Sequence, residues 1–133
     1  MNNFGYDIDM KNYSIQRESI LKTVQGTHSH PTAEWVFSKV KKTLPNVSLG
    51  TVYRNLGLLA DNGKIQAIHF DGVIHYDGTM ENHQHFYCIE CKTIIDIHIP
   101  NKNFVSEVEQ KTNHIIANSH VHMNGICKSC KSK

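Results

Sequence analysis

His83-Gln84-His85-Phe86-Tyr87-Cys88-Ile89-Glu90-Cys91 runs two histidines on alternate residues straight into a Cys-x-x-Cys pair. In a strand, successive side chains point to opposite faces, so His83 and His85 share one face and two imidazoles can meet one metal ion. Cys88 and Cys91 have the spacing that lets one tight turn aim two thiolates at a single soft cation. Their match is Cys127-Lys128-Ser129-Cys130, after 35 intervening residues, and the four cysteines of the chain are thereby all used. Two such pairs favour a tetrahedral zinc site over a disulfide or a redox motif, which stands alone beside a βαβ unit. One structural zinc ion per chain on Cys88, Cys91, Cys127 and Cys130 would clamp the C-terminal tail to the histidine strand and add folding energy.

Length bounds what surrounds this stretch. With 133 residues the chain makes one domain or two small ones, each needing a metal or a partner to hold its core. A net charge of +2 is too weak to declare a nucleic-acid binder, and ten histidines are the compositional outlier. The sequence contains no apolar run of membrane-spanning length, and Met1-Asn2-Asn3-Phe4-Gly5 lacks the basic and apolar regions of a signal peptide. A cytoplasmic protein with no membrane partner is expected, since thiols stay reduced there and available for zinc.

Upstream of the histidine strand the pattern is helical. Residues 1–12 carry no periodicity and are expected to form an arm. A first helix is expected from near Ser14 through Ile15, Ile20, Leu21 and Val24 to Gly26. Pro31 suits the first turn of a second helix, whose buried stripe is Trp35, Val36, Phe37 and Val40. Ser48 reads as the N-cap of a third helix, Leu49 to about Asn62, with Val52, Leu56 and Leu59 inward and Gly63 at its stop. Its first turns expose Thr51, Tyr53, Arg54 and Asn55. Residues 64–70 and 73–76 then read as two strands joined by the two-residue turn Asp71-Gly72.

Three helices followed by a hairpin is the order of a winged helix, with the third helix entering the major groove. From Lys11 to Lys64, eight basic residues stand against Glu18, Glu34 and Asp61, a local surplus that fits phosphate contact. Ser48, Thr51, Tyr53, Arg54 and Asn55 are the candidate DNA-contacting residues.

Downstream, the chain is divided at residues 77–82, a polar stretch read as a hinge between a winged-helix domain (1–76) and an α/β domain (83–133). Ile94 to Ile99 is a second strand after the histidine strand. A helix from about Asn103 to Thr112 carries Phe104, Val105 and Val108 inward, and a third strand runs from Ile115 to Met123. So small a core suggests an interface as well as a fold, and a homodimer through this half is expected.

The chain resembles the ferric uptake regulator family. The resemblance rests on Gln16-Arg17, His30-Pro31-Thr32-Ala33, Ser48-Leu49-Gly50-Thr51-Val52-Tyr53-Arg54-Asn55-Leu56, His83-Gln84-His85 and both Cys-x-x-Cys pairs. It implies an α+β fold with an N-terminal winged helix-turn-helix domain and a C-terminal α/β dimerisation domain, binding palindromic operator DNA as a homodimer. It also implies one regulatory Fe(II) or Mn(II) ion per chain on His30, Asp77, His83, His85 and Asp96. Three imidazoles and two carboxylates without a thiolate suit those ions. Read alone, His30 could cap the helix that Pro31 opens and Asp77 could be a turn residue, whereas Asp96 interrupts an isoleucine-rich strand where a carboxylate is costly unless paired. His28, His69, His75, His98, His114, His120 and His122 read as surface or supporting residues. Asn82 and Gln84 stand where an additional metal site of the family's general iron regulators would need ligands, so that site does not carry over.

Aspartate at both 77 and 96 resembles the family's peroxide-sensing branch, where His30 or His83 is the ligand oxidised and the repressor is then released. The alternative is a regulator responding to iron supply, or to another metal. Two readings from other classes are a small metalloenzyme using a metal-bound water and a metal chaperone without DNA affinity. The enzyme reading lacks any Ser-His-Asp set or phosphate-cradling glycine loop, and a non-enzyme is expected.

Overall fold

The computed structural model describes residues 3–79 and 81–133, which cluster into two compact units, Met1–Met80 and Glu81–Lys133. Among the described residues no helix is long and apolar enough to cross a membrane.

The first unit holds α1 (Asn3–Gln25), α2 (Ala33–Val40) and α3 (Leu49–Asp61), then β1 (Gln66–Phe70) and β2 (Val73–Asp77), which pair antiparallel. This is the winged-helix order. The expected arm over residues 1–12 is instead the start of α1 from Asn3 on; Met1 and Asn2 lie outside the described residues. No proline precedes Pro31, so nothing stops the helix from extending N-terminally, and Ser14 lies inside it rather than at its cap. Pro31 likewise falls before α2, whose N-cap is Thr32, its hydroxyl accepting from the Trp35 amide at 3.3 Å.

The apolar stripes meet as their spacing demands. Ile20 and Val24 of α1, Val36 and Val40 of α2, and Val52, Leu56 and Leu59 of α3 form one buried cluster, joined by Ile65 and Tyr76. Each fully buried aliphatic side chain contributes roughly 1.5–3 kcal/mol. Ile15, expected in the stripe, is 46% exposed.

Both ends of α3 are set by local chemistry. Ser48 Oγ accepts from the Thr51 amide at 3.1 Å. At the other end, Lys64 N–H donates to Leu59 O and Gly63 N–H to Ala60 O, with Gly63 at φ 72°, a left-handed stop. The Asp71-Gly72 turn has φ of 54° and 74°, the doubly positive pair that matches hairpin twist. Gly78 is needed for a different reason: a Cβ there would lie 2.7 Å from Gln25 Cα.

The expected hinge at 77–82 begins with a residue of the wing, since Asp77 closes the β2 ladder opposite Gln66; Met80 lies outside the described residues.

The second unit holds β3 (Gln84–Cys88), β4 (Ile94–Ile97), α4 (Lys102–Thr112), β5 (His122–Gly125) and α5 (Lys128–Lys131). Its sheet order is β4-β3-β5, with β4 antiparallel and β5 parallel to β3. Register gives the sheet two chemically distinct faces. Asp96, His85 and His122 align across one face, and Ile95, Phe86 and Met123 across the other.

Two expectations fail in this unit. Phe104 points outward at 60% exposure, and no residue of α4 is buried. The expected strand over Ile115–Met123 is confined to β5. Before it, side chains take the place of ladder partners: the Glu109 carboxylate accepts from Ile116 N–H at 3.1 Å, and Gln84 Oε1 from Val121 N–H at 3.0 Å.

Candidate metal centres and nucleic-acid interface

The cysteine site is built by two turns. Cys88 ends β3, and the following turn returns Cys91 beside it, with Lys92 in a left-handed conformation donating its N–H to Cys88 O at 2.9 Å. Cys127 caps α5 and Cys130 lies within it. The Sγ atoms of Cys88 and Cys130 are 3.8 Å apart, as are those of Cys91 and Cys127, and all four lie within 4.8 Å of one another. A zinc tetrahedron with Zn–S near 2.3 Å has edges of about 3.8 Å. All four are free thiols, so the sulfurs sit at coordination rather than disulfide spacing.

Electrostatics agree with a cation. The amides of Cys91 and Cys127 donate to Cys88 Sγ at 3.5 and 3.4 Å, and the Cys91 amide foremost pulls the Cys88 thiol down to about 6. Cys130 is pushed up to about 12, chiefly by its hydrogen bond with Cys127. Four thiolates this close repel unless a divalent ion neutralises them, and the donor set fits zinc.

A second set of donors converges on the histidine face of the sheet. His83 Nε2 and His85 Nε2 are 3.1 Å apart, and Asp96 Oδ1 lies 3.5 Å from the first and 3.4 Å from the second. His83 and His85 are buried, 3% and 0% exposed. His83 Nδ1 donates to Glu81 O at 2.7 Å; a carbonyl can only accept, so the neutral ring presents its lone pair at Nε2. The His83 lone pair, the His85 ring nitrogen and the Asp96 carboxylate thus converge at distances a shared divalent cation could bridge.

The first unit supplies its own buried pair. His30 Nε2 lies 3.3 Å from Asp77 Oδ2, with both residues buried. His30 is not a helix cap. It stands two residues before the Thr32 cap, in a left-handed conformation at φ 54°, and its carbonyl accepts from His75 Nδ1 at 2.9 Å. Tyr76 N–H donates to Pro31 O at 2.8 Å, so the His30 loop is fastened to β2. Asp77 is a turn residue that also faces His30, its Oδ1 accepting from Thr79 N–H at 2.8 Å while its Oδ2 lies opposite the His30 ring. Sequence reasoning left His75 among the supporting histidines without this role, because only strand register puts it beside His30.

On α3, Tyr53 is 43% exposed and Arg54 is exposed, as expected. Ser48 and Thr51 hydrogen-bond each other at the helix start, 2.9 Å apart, and Arg54 Nη2 reaches Thr51 Oγ1 at 3.4 Å. Asn55 is a correction: it is buried at 3% exposure and donates to the Thr51 carbonyl at 2.9 Å, because the inward stripe of α3 is wide enough to include it. Sequence reasoning also missed Glu34 on α2, whose carboxylate accepts from the Tyr53 hydroxyl at 2.5 Å. That bond holds the Glu34 carboxyl below the usual carboxylate range and raises the Tyr53 phenol.

Comparison with known proteins gives one consistent result. Residues 9–124 match the ferric uptake regulator family. The chain is 32% identical over 123 residues to the peroxide-responsive repressor PerR of Staphylococcus saprophyticus, covering 89% of this chain and 81% of that protein. It is 30% identical over 120 residues to the repressor of the same name in Staphylococcus aureus, with the same coverage. Among solved structures, the Campylobacter jejuni peroxide stress regulator superimposes with a TM-score of 0.81 at 27% identity, over 98% of this chain and all of that one. The Helicobacter pylori ferric uptake regulator, at 24% identity and a TM-score of 0.79 over 96% of this chain and 90% of that one, shares the fold. The chain belongs to the ferric uptake regulator family, whose members are transcriptional regulators and not enzymes.

Proposed function

We propose that the protein is a metal-dependent, peroxide-sensing transcriptional repressor that binds a palindromic operator in double-stranded DNA as a homodimer. In this reading Cys88, Cys91, Cys127 and Cys130 hold one structural zinc ion per chain, and thiolates kept for zinc fit the reducing cytoplasm. One regulatory iron(II) or manganese(II) ion takes His83, His85 and Asp96 from the second unit and His30 and Asp77 from the first. The observation that carries the reading is the convergence of His83 Nε2, His85 Nε2 and Asp96 Oδ1 within 3.5 Å of one another, in a chain 32% identical to a peroxide-responsive repressor.

The DNA-reading residues are Tyr53 and Arg54, with Ser48 and Thr51 at the positive start of α3 turned toward phosphate. Asn55 is withdrawn from this set because it is buried. Two-fold symmetry of a dimer makes the operator palindromic. The apolar sheet row Ile95–Phe86–Met123, together with exposed Ile99, Phe104 and Ile115, is surface that a second copy would cover.

Iron(II) held by these residues would supply one-electron redox chemistry toward hydrogen peroxide. Overall, one peroxide would oxidise one imidazole, that of His30 or His83, to 2-oxo-histidine, a poorer metal ligand, and leave one water. A ligand set that no longer favours the DNA-competent state shifts the population away from the operator. The zinc-bound cysteines remain reduced, because zinc is redox-inert and occupies their thiolates.

The test loads the protein anaerobically with iron(II) or manganese(II), adds hydrogen peroxide, and follows operator binding alongside mass spectrometry of the His30 and His83 peptides. Release of the iron form alone, with one oxygen gained on either peptide, is expected. Release that tracks iron removal with no oxygen gained would make the protein a regulator of iron supply instead, and release that tracks cysteine oxidation would overturn the histidine mechanism.

A further inference from the structure

The histidine face of the second unit carries more imidazole than a single ion needs. Extending the antiparallel register of β3 and β4 puts His98 beside His83, ring centroids 5.6 Å apart. The parallel register of β3 and β5 puts His122 beside His85 at 5.4 Å, and His120 lies 6.5 Å from His122. His120 and His122 are exposed while His85 is wholly buried. Three imidazoles therefore lead from solvent to the interior in steps of 6.5 and 5.4 Å.

These steps suit a shared cation. Two imidazoles on one tetrahedral ion, each nitrogen about 2.0–2.1 Å from it, have ring centroids roughly 5 Å apart. The inner step is close to that value, and the outer one needs only a modest rotation of the exposed His120 ring. Buried His85 cannot meet a hydrated ion directly, and an ion already held by His122 is at high effective concentration beside it. Neutral imidazole pairs bind borderline divalent ions such as cobalt(II), zinc(II) and iron(II) with waters filling the remaining positions.

We propose that His120 and His122 form an exposed capture site for a hydrated divalent transition metal, from which the ion passes to His85 by stepwise exchange of imidazole ligands. The inference rests on the metal-binding reading of His83, His85 and Asp96 given above. It concerns how that site fills and not which residues finally hold the ion.

Cobalt(II) is the probe, because its visible absorption reports ligand set and rate together. The full chain retaining its structural zinc is mixed with cobalt(II) in a stopped-flow instrument, and the same samples are titrated to equilibrium. His120→Gln, chosen because the residue is exposed, is expected to load on the order of tenfold more slowly, the scale of supporting-residue effects at metal sites, with an unchanged final spectrum. The double variant His120→Gln/His122→Gln loads at least as slowly, and His114→Gln, at an exposed histidine outside the path, loads at the wild-type rate. Retained zinc and circular dichroism confirm that the variants fold.

Wild-type loading rates in both His120 variants would overturn the proposal. So would a His120→Gln protein whose final spectrum is altered, since His120 would then be a ligand of the interior site. Slowing confined to His98→Gln would put the entrance on the other flank. Wild-type protein that takes up no cobalt beyond its zinc equivalent would instead refute the underlying metal reading, and this inference with it.

Discussion

The two units are stabilised by different means. The first is a hydrophobic cluster in which every helix contributes buried aliphatics, among them Ile20, Val36 and Leu56. In the second, the buried residues are His83, Gln84, His85, Tyr87, Cys88 and Cys127, and α4 buries none of its side chains. Apolar surface removed from water suffices for a three-helix unit, whereas a short sheet rich in metal donors has little of it to remove. The difference leads to the expectation that the helical unit folds before any metal arrives, while order in the second unit depends on the ions that its donors are proposed to hold.

The largest effect expected to sharpen this contrast is that of Cys127→Ser. Loss of one of four thiolates opens the tetrahedron, so zinc content should fall and the dimer dissociate, measured by metal analysis and sedimentation. The first unit should keep its helical circular dichroism. A variant retaining full zinc and an intact dimer would refute the four-cysteine site.

Leu56→Ala is the reciprocal experiment. A cavity at a fully buried leucine should cost the first unit about 2–5 kcal/mol in denaturant unfolding, with zinc stoichiometry unchanged. Equal destabilisation of both halves would show that they do not differ as described.

Tyr53→Ala bears on function rather than folding. Specific operator binding should weaken by roughly 1–3 kcal/mol while binding to a scrambled duplex changes little. Uniform loss on both duplexes would make Tyr53 a backbone contact.

The smallest effect expected is at Gly57, where an added Cβ meets nothing within 4 Å inside α3; Gly57→Ala should stabilise by up to about 1 kcal/mol. Gly78→Ala, a nominally identical change, should destabilise because the new carbon meets Gln25 backbone at 2.7 Å. Similar melting temperatures for the two variants would contradict the packing of Gly78 against α1.

What could be read from sequence was whatever local chemistry decides. The Ser48 cap, the Gly63 stop, the Asp71-Gly72 turn and the Cys-x-x-Cys spacing each act within a few residues, and each was legible. Long-range register was not. Nothing in the string indicates that β5 runs parallel to β3 over only four residues, so His122 could not be put beside His85. Nor could the periodicity of α3 separate Asn55, buried and bonded to the Thr51 carbonyl, from exposed Arg54. The wrong start of α1 has a similar origin, because the absence of a helix breaker is a weaker signal than the hydroxyl of Ser14.

The most direct test of the proposed metal-dependent order in the second unit is amide hydrogen exchange before and after zinc is stripped from the intact chain with a strong chelator. Protection in β3, β4 and β5 should collapse on zinc removal while α2 and α3 keep theirs. Retained protection in the stripped sheet, or simultaneous loss in both units, would contradict the account.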